Sequence, residues 1–301
     1  MSAGPVFPQI DYAESGGALR ACYDDMQAVL RVPWVMFAAR SLAVFGGFVP
    51  AAWQTARPSF STPAVERAAD QLRAMAILPG DAPPDPRPRL AALGFGEDRL
   101  AEVRGALDAL NYGNAKYLLL ITAWCEAIQG RDSGGRSAPP PAATTTPART
   151  LPTGPPAGMA TLSLVDPRQV SDRVARLLRR VTDLHLHHGP SSDFRVLANW
   201  PDFLEVALDD VLGPVVRTAP YEATGQALLT HARTRVQELP AAAGLGPEQA
   251  LRVCTPAETA AITGLLFLFQ RFILDVTIDM IRCTQALDGR EAATASPYSV
   301  R

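Results

Sequence analysis

Regular strand patterns are missing from this sequence of 301 residues. No segment alternates apolar and polar residues over any length, and the β-branched residues are not clustered, which argues against a fold built on sheets. Apolar residues instead recur at helical spacing, as at Leu19, Cys22, Tyr23, Met26 and Leu30. The sequence therefore predicts an all-α protein.

Several common motifs for nucleotide binding and catalysis are absent as well. The sequence contains no GxxxxGK[ST], no GxGxxG after a strand, no GxSxG and no HExxH. These motifs supply the phosphate cradle, the dinucleotide turn, the nucleophile elbow and the zinc-binding histidine pair of their classes. Phosphate-binding, dinucleotide-binding and ordinary serine-hydrolase functions therefore lack their sequence signatures.

The sequence has few cysteines and a small net charge. The four cysteines form no CxxC pair and lie in apolar, helix-like segments, so we expect reduced core residues and a cytoplasmic protein. The formal net charge of −2 provides no general attraction to nucleic acid or to anionic membranes. We expect neither of them as a partner.

Neither a secretory signal nor an uninterrupted apolar run of membrane-spanning length is evident. The N-terminus lacks a basic stretch followed by an apolar run, so we expect no signal peptide. The apolar segment at 117–125 is too short to span a membrane. The segment at 260–281 is interrupted by Gln270, Arg271, Asp275 and Asp279. Both segments indicate buried helices.

Large apolar residues are rare between residues 132 and 160, where Pro, Ala, Thr, Gly and Ser dominate. Such a segment buries too little surface to offset the entropy cost of ordering it, which predicts an exposed, largely unstructured linker. This linker divides the chain into a first helical region, residues 1–131, and a second, residues 161–301.

The two regions share residues at a nearly constant separation of about 155 to 159 positions. Val165-Asp166 corresponds to Ile10-Asp11, and Pro190 with Phe194 corresponds to Pro33 with Phe37. A constant period over this length indicates an internal repeat. We interpret it as an ancient duplication, and we predict two homologous helical repeats that face each other as an intramolecular pseudo-dimer.

Local signals predict several helix boundaries in the first region. Thr62 followed by Pro63 predicts a helix start, and Trp34 is expected to open another helical stretch after Pro33. The segment at 111–113 is expected to hinge two helices near 98–110 and 114–129.

The second region contains a lone carboxylate, Asp193, at the start of an apolar helix. Pro190 disfavours helix at the residue before it, and Ser191 or Ser192 can cap the helix that follows. Asp193 therefore lies in a first helical turn. A negative charge at this position is favoured by the helix dipole, so a catalytic and a purely structural role both remain open.

Other candidate site residues are polar or aromatic and each has a structural alternative. Asn114 and Lys116 enter an apolar helix, where burial without partners would cost a few kcal/mol, although Asn114 could serve as a cap. Thr62 and Glu66 share one helix face, and they could be a cap and a solvated acid. Trp34 and Phe37 could be core residues.

A histidine cluster, His185, His187 and His188, is the one feature that suggests a metal site. The remaining histidine and the carboxylates do not stand at a familiar ligand spacing. Histidines near a helix C-terminus are also favoured by the dipole, and this explanation is the simpler one.

Four stretches of the sequence resemble the group I 2-haloacid dehalogenases, a family that acts on both D- and L-2-haloacids. The stretches are LRVPWV at 30–35, NYGNAKYLLLITA at 111–123, HHGPSSDF at 187–194 with LANWP at 197–201, and QRFI at 270–273. The similarity extends over nearly the whole chain, from about residue 7 to 297, and excludes only the linker.

The resemblance implies an all-helical enzyme of two repeats that uses no cofactor and no metal. Its substrates would be 2-haloalkanoic acids and water, its products 2-hydroxyalkanoic acids of inverted configuration and halide, and a homodimer its assembly. Asp193 matches the aspartate that activates the attacking water, and Thr62 and Glu66 match residues implicated in activity. The positions expected to line the substrate pocket are Asn114, Trp34, Phe37 and Ser192. Phe269 stands where some members have Tyr.

Two other functions are compatible with the sequence. A non-catalytic helical protein that binds small carboxylic acids would keep the pocket and lose turnover. A metal-dependent hydrolase would use the cluster from His185 to His188. Halide release separates the first alternative from an enzyme, and sensitivity to chelators separates the second.

Overall fold

Helices dominate residues 7–135 and 150–300, the parts of the chain that the computed structural model describes. Within these ranges there is no strand, so the all-α prediction is confirmed. The helices of the first half are α1 (Gly17–Leu30), α2 (Phe37–Leu42), α3 (Phe48–Phe60), α4 (Pro63–Met75), α5 (Arg87–Ala92) and α6 (Glu97–Ile128). Those of the second half are α7 (Asp172–His185), α8 (Ser192–Leu197), α9 (Pro201–Val206), α10 (Ala219–Gln237), α11 (Pro247–Val253) and α12 (Pro256–Thr294).

Two long helices, α6 and α12, pack against each other at the centre of the molecule. Helix α6 is buried without interruption from Ala109 to Ile128, which explains why its apolar residues show little one-sided pattern. Helix α12 is long and apolar enough to cross a membrane by length and composition alone, but half of its most apolar window is buried inside the protein.

The expected hinge at residues 111–113 is wrong, because α6 continues through it as one helix of 32 residues. Asn111 donates from Nδ2 to the hydroxyl of Thr284 on α12 at 2.8 Å, whereas its buried Oδ1 has no hydrogen-bond partner among the described residues. Gly113 also has a packing role, because a Cβ atom there would lie 2.6 Å from Cζ2 of Trp34. The sequence features that suggested a hinge serve side-chain contacts instead.

The expectation that Trp34 opens a helix is also wrong. Helix α1 ends at Arg31, which adopts a left-handed conformation with φ of 63°, and α2 begins only at Phe37. Residues 32–36 therefore form a non-helical connection. This connection, which we call the Trp34 loop, leaves Trp34 free to lie across α6.

Equivalent features recur in the two halves at a fixed offset. Helices α1 and α7 both have 14 residues and begin 155 positions apart, and each ends at a left-handed residue, Arg31 or Leu186. Helices α2 and α8 both have six residues, again 155 positions apart. The bond from the Ile10 amide to the Arg40 carbonyl corresponds to the bond from Val165 to Arg195. Beyond these helices the halves differ, because a π-helical segment, Ala207–Leu212, lies between α9 and α10 and has no counterpart between α3 and α4.

The predicted linker lies partly outside the described residues, which leave out 136–149. Its described ends contain no helix, in agreement with the composition. They are nevertheless packed on the protein: Leu151 is buried, its amide donates to the Ser61 carbonyl, and the Gly135 amide donates to the Leu239 carbonyl. These ends are mostly exposed or half-buried, as predicted, but backbone bonds and the Leu151 side chain anchor them to the protein.

Candidate active site

Asp193 is the second residue of α8, where the sequence places it. Ser191 occupies the N-cap position in an extended conformation, which starts the helix after Pro190. The expected cap bond is absent, because the Ser191 hydroxyl is buried with no partner among the described residues. Ser192, the first helical residue, is partly exposed. Asp193 itself is only 6% exposed, which a purely solvated dipole partner would not be.

Asn114 on α6 holds the carboxyl group of Asp193. Its Nδ2 donates to Oδ1 of Asp193 at 2.7 Å, joining residues 79 positions apart in the chain. No side chain of the described residues donates to Oδ2. One oxygen is thus fixed by an amide donor, and the other remains available to accept a proton.

Burial raises the pKa of Asp193 to about 6. The hydrogen bond from Asn114 opposes this effect by favouring the ionised form, and the nearby Asp279 adds to it. A carboxylate with a pKa close to neutrality is a better base than an exposed one and remains ionised at pH 7. The environment of Asp193 therefore suits a general base.

Trp34 lies against the same turn of α6 as Asn114. Its indole packs on Gly113, the residue that precedes Asn114, at a position where any Cβ atom would clash. The Tyr117 hydroxyl donates to the Trp34 carbonyl at 2.7 Å and fixes the Trp34 loop to α6. The structure thus places Trp34 against the residue next to Asn114, the partner of Asp193. No local pattern in the sequence indicates the bond of Tyr117 or the packing role of Gly113.

Phe37 belongs to an aromatic cluster beside this site. Its ring is 5.6 Å from that of Phe269 and 6.2 Å from that of Phe7, measured between centroids. Phe7 in turn lies 4.1 Å from the ring of His188, which precedes the Asp193 helix. Phe269 therefore presents an apolar ring to Phe37. The cluster forms a largely apolar wall between the two halves.

Glu66 is fully buried in a separate ionic network and is not in contact with Asp193. Its Oε1 accepts from Lys116 Nζ at 2.6 Å, from the Tyr112 hydroxyl at 2.7 Å and from Arg31 at 3.3 Å. Lys116 also donates to the Leu30 carbonyl, the end of α1. Lys116 is the only lysine in the sequence and is buried. The polar density at 111–117 signalled these partners without identifying them.

Thr62 occupies the N-cap position of α4, yet its hydroxyl does not cap the helix. It donates to the Ser59 carbonyl at 2.7 Å instead. Thr62 and Glu66 share a helix, as the sequence predicts, but none of the polar contacts of Thr62 reaches Glu66 or Asp193. The structure therefore groups Asp193 with Asn114 and Trp34, and leaves Thr62 and Glu66 elsewhere.

The histidine cluster is paired with aspartates on α12. His185 Nε2 lies 2.8 Å from Asp279, and His187 Nε2 lies 2.9 Å from Asp275. Burial disfavours the charged imidazole of His185, but Asp279 outweighs this effect and raises its pKa to about 9. In the described residues no three His, Cys, Asp or Glu side chains are grouped so as to hold a metal ion. The dipole explanation therefore missed two buried pairs that join α7 and its following turn to α12.

Two of the depressions on the described residues do not include Asp193. One lies beside Trp200, Asn199 and Glu102, and the other beside Arg282 and Thr218. We place the candidate site at Asp193 because hydrogen bonding, burial and the raised pKa coincide there.

The sequence is similar along its whole length to known dehalogenases. A family model described as "Halocarboxylic acid dehydrogenase DehI" matches residues 33–185. A protein named "2-haloacid dehalogenase, configuration-inverting" from Pseudomonas sp. (strain 113) is 43% identical, and the match covers 100% of this chain and 98% of that protein. One of the same name from Alcaligenes xylosoxydans xylosoxydans is 45% identical, with 98% of each chain covered.

The fold has a close counterpart among solved structures. A D-2-haloacid dehalogenase in complex with L-LA superposes with a TM-score of 0.83, and the match covers 95% of this chain and 99% of that chain. The two sequences are 24% identical, so this similarity concerns the fold.

Proposed function

Because this chain belongs to the configuration-inverting 2-haloacid dehalogenases of the DehI family, we propose that it hydrolyses both D- and L-2-haloalkanoic acids. The enzyme is a hydrolase that acts on carbon–halide bonds. The proposed products are 2-hydroxyalkanoic acids of inverted configuration and halide. The names of the relatives at 43% and 45% identity carry no restriction to one enantiomer, which supports action on both hands.

The proposed mechanism is direct attack of a water molecule, activated by Asp193, on the α-carbon. Oδ2 of Asp193 takes a proton from water while the water oxygen bonds to carbon, and the halide leaves with the electron pair of the carbon–halogen bond. The observation that carries this assignment is the buried carboxylate of Asp193, held through Oδ1 by Asn114 at 2.7 Å. A base must lie within hydrogen-bond reach of its water, and fixing Oδ1 orients Oδ2 for that task.

The proposed substrate pocket lies between the Trp34 loop and α8. The rings of Trp34 and Phe37 supply an apolar wall for the carbon chain, and Ser192 supplies a hydroxyl donor. The substrate carboxylate would bind to free backbone N–H groups at the start of α2 and α8, where helices present unpaired donors. No cofactor or metal is required in this mechanism, because water is the nucleophile and halide leaves unaided by redox chemistry.

One site can serve both enantiomers if two substituents of the α-carbon exchange places. Water approaches from Asp193, so the halogen must point away from that residue in either case. The hydrogen atom and the alkyl group then exchange positions between the two substrates. Inversion follows for both, because attack is always from the side opposite the halogen.

Glu66 is proposed to support activity by holding the Trp34 loop. Lys116 joins Glu66 to the carbonyl of Leu30, and Arg31, the residue directly before the loop, also contacts Glu66. Removing the Glu66 charge would leave buried cations without a partner and release the loop. Thr62 is proposed to act through the start of α4, which carries Glu66.

The two halves of the chain are proposed to be homologous repeats arranged as a pseudo-dimer, joined through residues 132–160. The equal lengths of α1 and α7 and of α2 and α8, their offset of 155 positions and the corresponding backbone bonds support this proposal. So does the reciprocal packing, in which α6 contacts α8 and α12 contacts α2. Asp193 comes from the second half and Asn114 from the first, so a single repeat would lack a complete site.

The protein is further proposed to be a cytoplasmic homodimer. Four free, buried cysteines suit a reducing compartment. For the dimer, the N-terminal part of α12 exposes Ala257, Ala260, Ala261, Gly264 and Phe267 on one face. A second copy of the chain would cover this face. Sedimentation analysis tests it: Phe267→Glu should dissociate the dimer, whereas Leu93→Glu, at an exposed apolar residue elsewhere on the surface, should not.

Halide release from separate D- and L-2-chloropropionate tests the proposed function. Both enantiomers should release chloride, and chiral analysis should find lactate of the opposite configuration. Asp193→Asn should lower kcat by at least about 1,000-fold, because the base is lost. The matched control is Asp172→Asn, which changes an exposed acid in the first turn of α7 and should retain activity.

Three results would contradict the proposal. Absence of chloride release, with carboxylates still bound, would favour the alternative of a non-catalytic binding protein. Chloride release from one enantiomer alone would limit the enzyme to that hand. Substantial activity in Asp193→Asn would remove Asp193 from its role.

A further inference from the structure

A cavity of about 250 Å³ lies between the two halves of the chain, away from Asp193. The segment that follows α4 forms one side, and the turn before α10 forms the other. Its apolar walls include Leu78, Val215 and Pro220, and Arg282 of α12 also lines it. We call this cavity the Arg282 pocket. It is somewhat smaller than the roughly 300–1,000 Å³ of sites for drug-sized ligands.

Arg282 is an unusual residue to find there, because it is only 8% exposed and its guanidinium is only partly bonded. Its Nε donates to the Val211 carbonyl at 2.9 Å. Within the described residues the two terminal nitrogens have no hydrogen-bond or ion-pair partner. The nearby acid, Asp279, already bonds to His185 and Tyr221. A buried guanidinium with free donors favours an anionic acceptor.

The start of α10 faces the same cavity and adds positive potential. Thr218, the N-cap residue, lines the pocket, and its hydroxyl donates to the Val215 carbonyl instead of capping the helix. Helix α10 has 19 residues, so the positive end of its dipole lies at this point. The guanidinium and the helix start thus favour a negative charge from two sides.

The lining of the pocket distinguishes among anions. One guanidinium matches the two oxygens of a single carboxylate in a bidentate arrangement. Asp81 on the exposed rim opposes a second negative charge, which disfavours phosphate and dicarboxylates. Leu78, Val215 and Pro220 offer contact to a short alkyl chain, which inorganic anions lack.

We propose that the Arg282 pocket binds a short-chain monocarboxylate, with Arg282 holding the carboxylate and the apolar walls holding the chain. The pocket is separate from the site at Asp193 and does not depend on the proposed reaction. Short carboxylates are also the chemistry proposed for substrate and product. The experiment must therefore locate the ligand as well as measure its affinity.

Crystals soaked in 3-bromopropionate locate the ligand by the anomalous signal of bromine. The expected result is a bromine beside Leu78 and Val215, with the carboxylate on Arg282. Isothermal titration with propionate should then detect two sites per chain in the wild type. No bromine in the pocket would overturn the proposal, whatever is found at Asp193.

Two rim variants measure the role of charge without disturbing Arg282. Ala82 lies on the exposed rim, so Ala82→Glu adds a carboxylate and Ala82→Gln adds a neutral side chain of the same shape. Ala82→Glu should weaken propionate binding at this site by about threefold to tenfold, and Ala82→Gln should not. Equal affinities in the two variants would contradict electrostatic recognition.

Arg282→Met tests the role of the guanidinium of Arg282 in the pocket. Inorganic phosphate tests the selectivity of the pocket among anions. In this variant, propionate should bind to the Arg282 pocket at least about tenfold more weakly, and its binding at Asp193 should be unchanged. Inorganic phosphate should bind the wild type more weakly than propionate. Retained binding in Arg282→Met, or phosphate binding as tight as propionate binding, would refute the assignment.

Discussion

At the scale of single residues, the environment of Asp193 determines both its strength as a base and its effect on the stability of the fold. Burial disfavours the ionised carboxylate, and the amide of Asn114 favours it through the 2.7 Å hydrogen bond. Opposed effects of this kind hold a pKa near the working range of a base. A change to either effect should therefore alter activity in a way that depends on pH.

Activity should rise as the pH increases through about 6, because Asp193 must be ionised to accept a proton. Asn114→Ala removes a donor that lowers this pKa, so the acid limb of kcat/KM should move up by about one pH unit. The measurement is the pH profile of chloride release. Asn111→Ala is the control, since Asn111 is buried on the same helix but bonds to Thr284. Equal shifts in both variants would contradict the account.

Asp193 should also reduce the stability of the fold. Its pKa is higher in the folded protein than the usual 3.8, so stability falls as the pH rises from about 4 to about 6. Two pH units correspond to about 3 kcal/mol at most. Asp193→Asn should therefore raise the free energy of unfolding by about 1–3 kcal/mol at pH 8 and change it little at pH 4. Denaturant unfolding measures this, and a variant less stable at pH 8 would refute it.

At the scale of elements, α6 places the partner of Asp193 and the support of Trp34 on adjacent residues. Gly113 lets the indole of Trp34 approach the helix, and Asn114 follows it directly. The 32-residue helix must be continuous at this point, because a hinge would separate the two contacts. Small changes to its surface should therefore affect the site.

Gly113→Ala should lower kcat/KM by about tenfold to 100-fold, because the new Cβ atom would stand 2.6 Å from the indole and displace it. The variant should still fold, since alanine favours helix. Gly105→Ala on the same helix meets only an ordinary contact at 3.6 Å and is the control. It should keep its activity and gain up to about 1 kcal/mol in unfolding free energy. Unchanged kinetics in Gly113→Ala would exclude a role for this contact.

The pair of His185 and Asp279 should join α7 to α12. His185→Leu leaves a buried carboxylate without its cation and should reduce the free energy of unfolding by about 3–5 kcal/mol at pH 7. Because the His185 pKa is raised to about 9, this stabilisation is complete below about pH 6.5 and is lost as the pH rises through 9. The double variant His185→Leu with Asp279→Leu should recover much of the loss. If the double variant is the less stable one, charge pairing does not explain the contact.

At the scale of the whole molecule, the spacing of apolar residues and local helix signals predicted the fold well, whereas the polar residues did not reveal their partners. Helical periodicity predicted the all-α fold, and Pro190 with the serines predicted the position of Asp193 in α8. These features depend on neighbouring residues, which local rules describe. The continuity of α6 was not predicted, because the reason for Gly113 lies in Trp34, far away in the chain.

The same limit applies to the polar residues. The cost of burying Asn114 and Lys116 without partners singled these residues out, and each has a partner in the structure, Asp193 for Asn114 and Glu66 for Lys116. Which partner it is depends on how the halves pack, and no local pattern encodes that. His185 was therefore assigned to a helix dipole, although its bond to Asp279 joins two helices 94 positions apart in the chain.

A single-turnover reaction in H₂¹⁸O, with enzyme in excess over 2-chloropropionate, tests most directly whether water attacks the substrate carbon. The account predicts that the lactate formed carries the label and that peptides containing Asp193 carry none. Unlabelled lactate, together with label in the Asp193 carboxyl group, would show that the side chain itself attacks and would contradict the proposed mechanism.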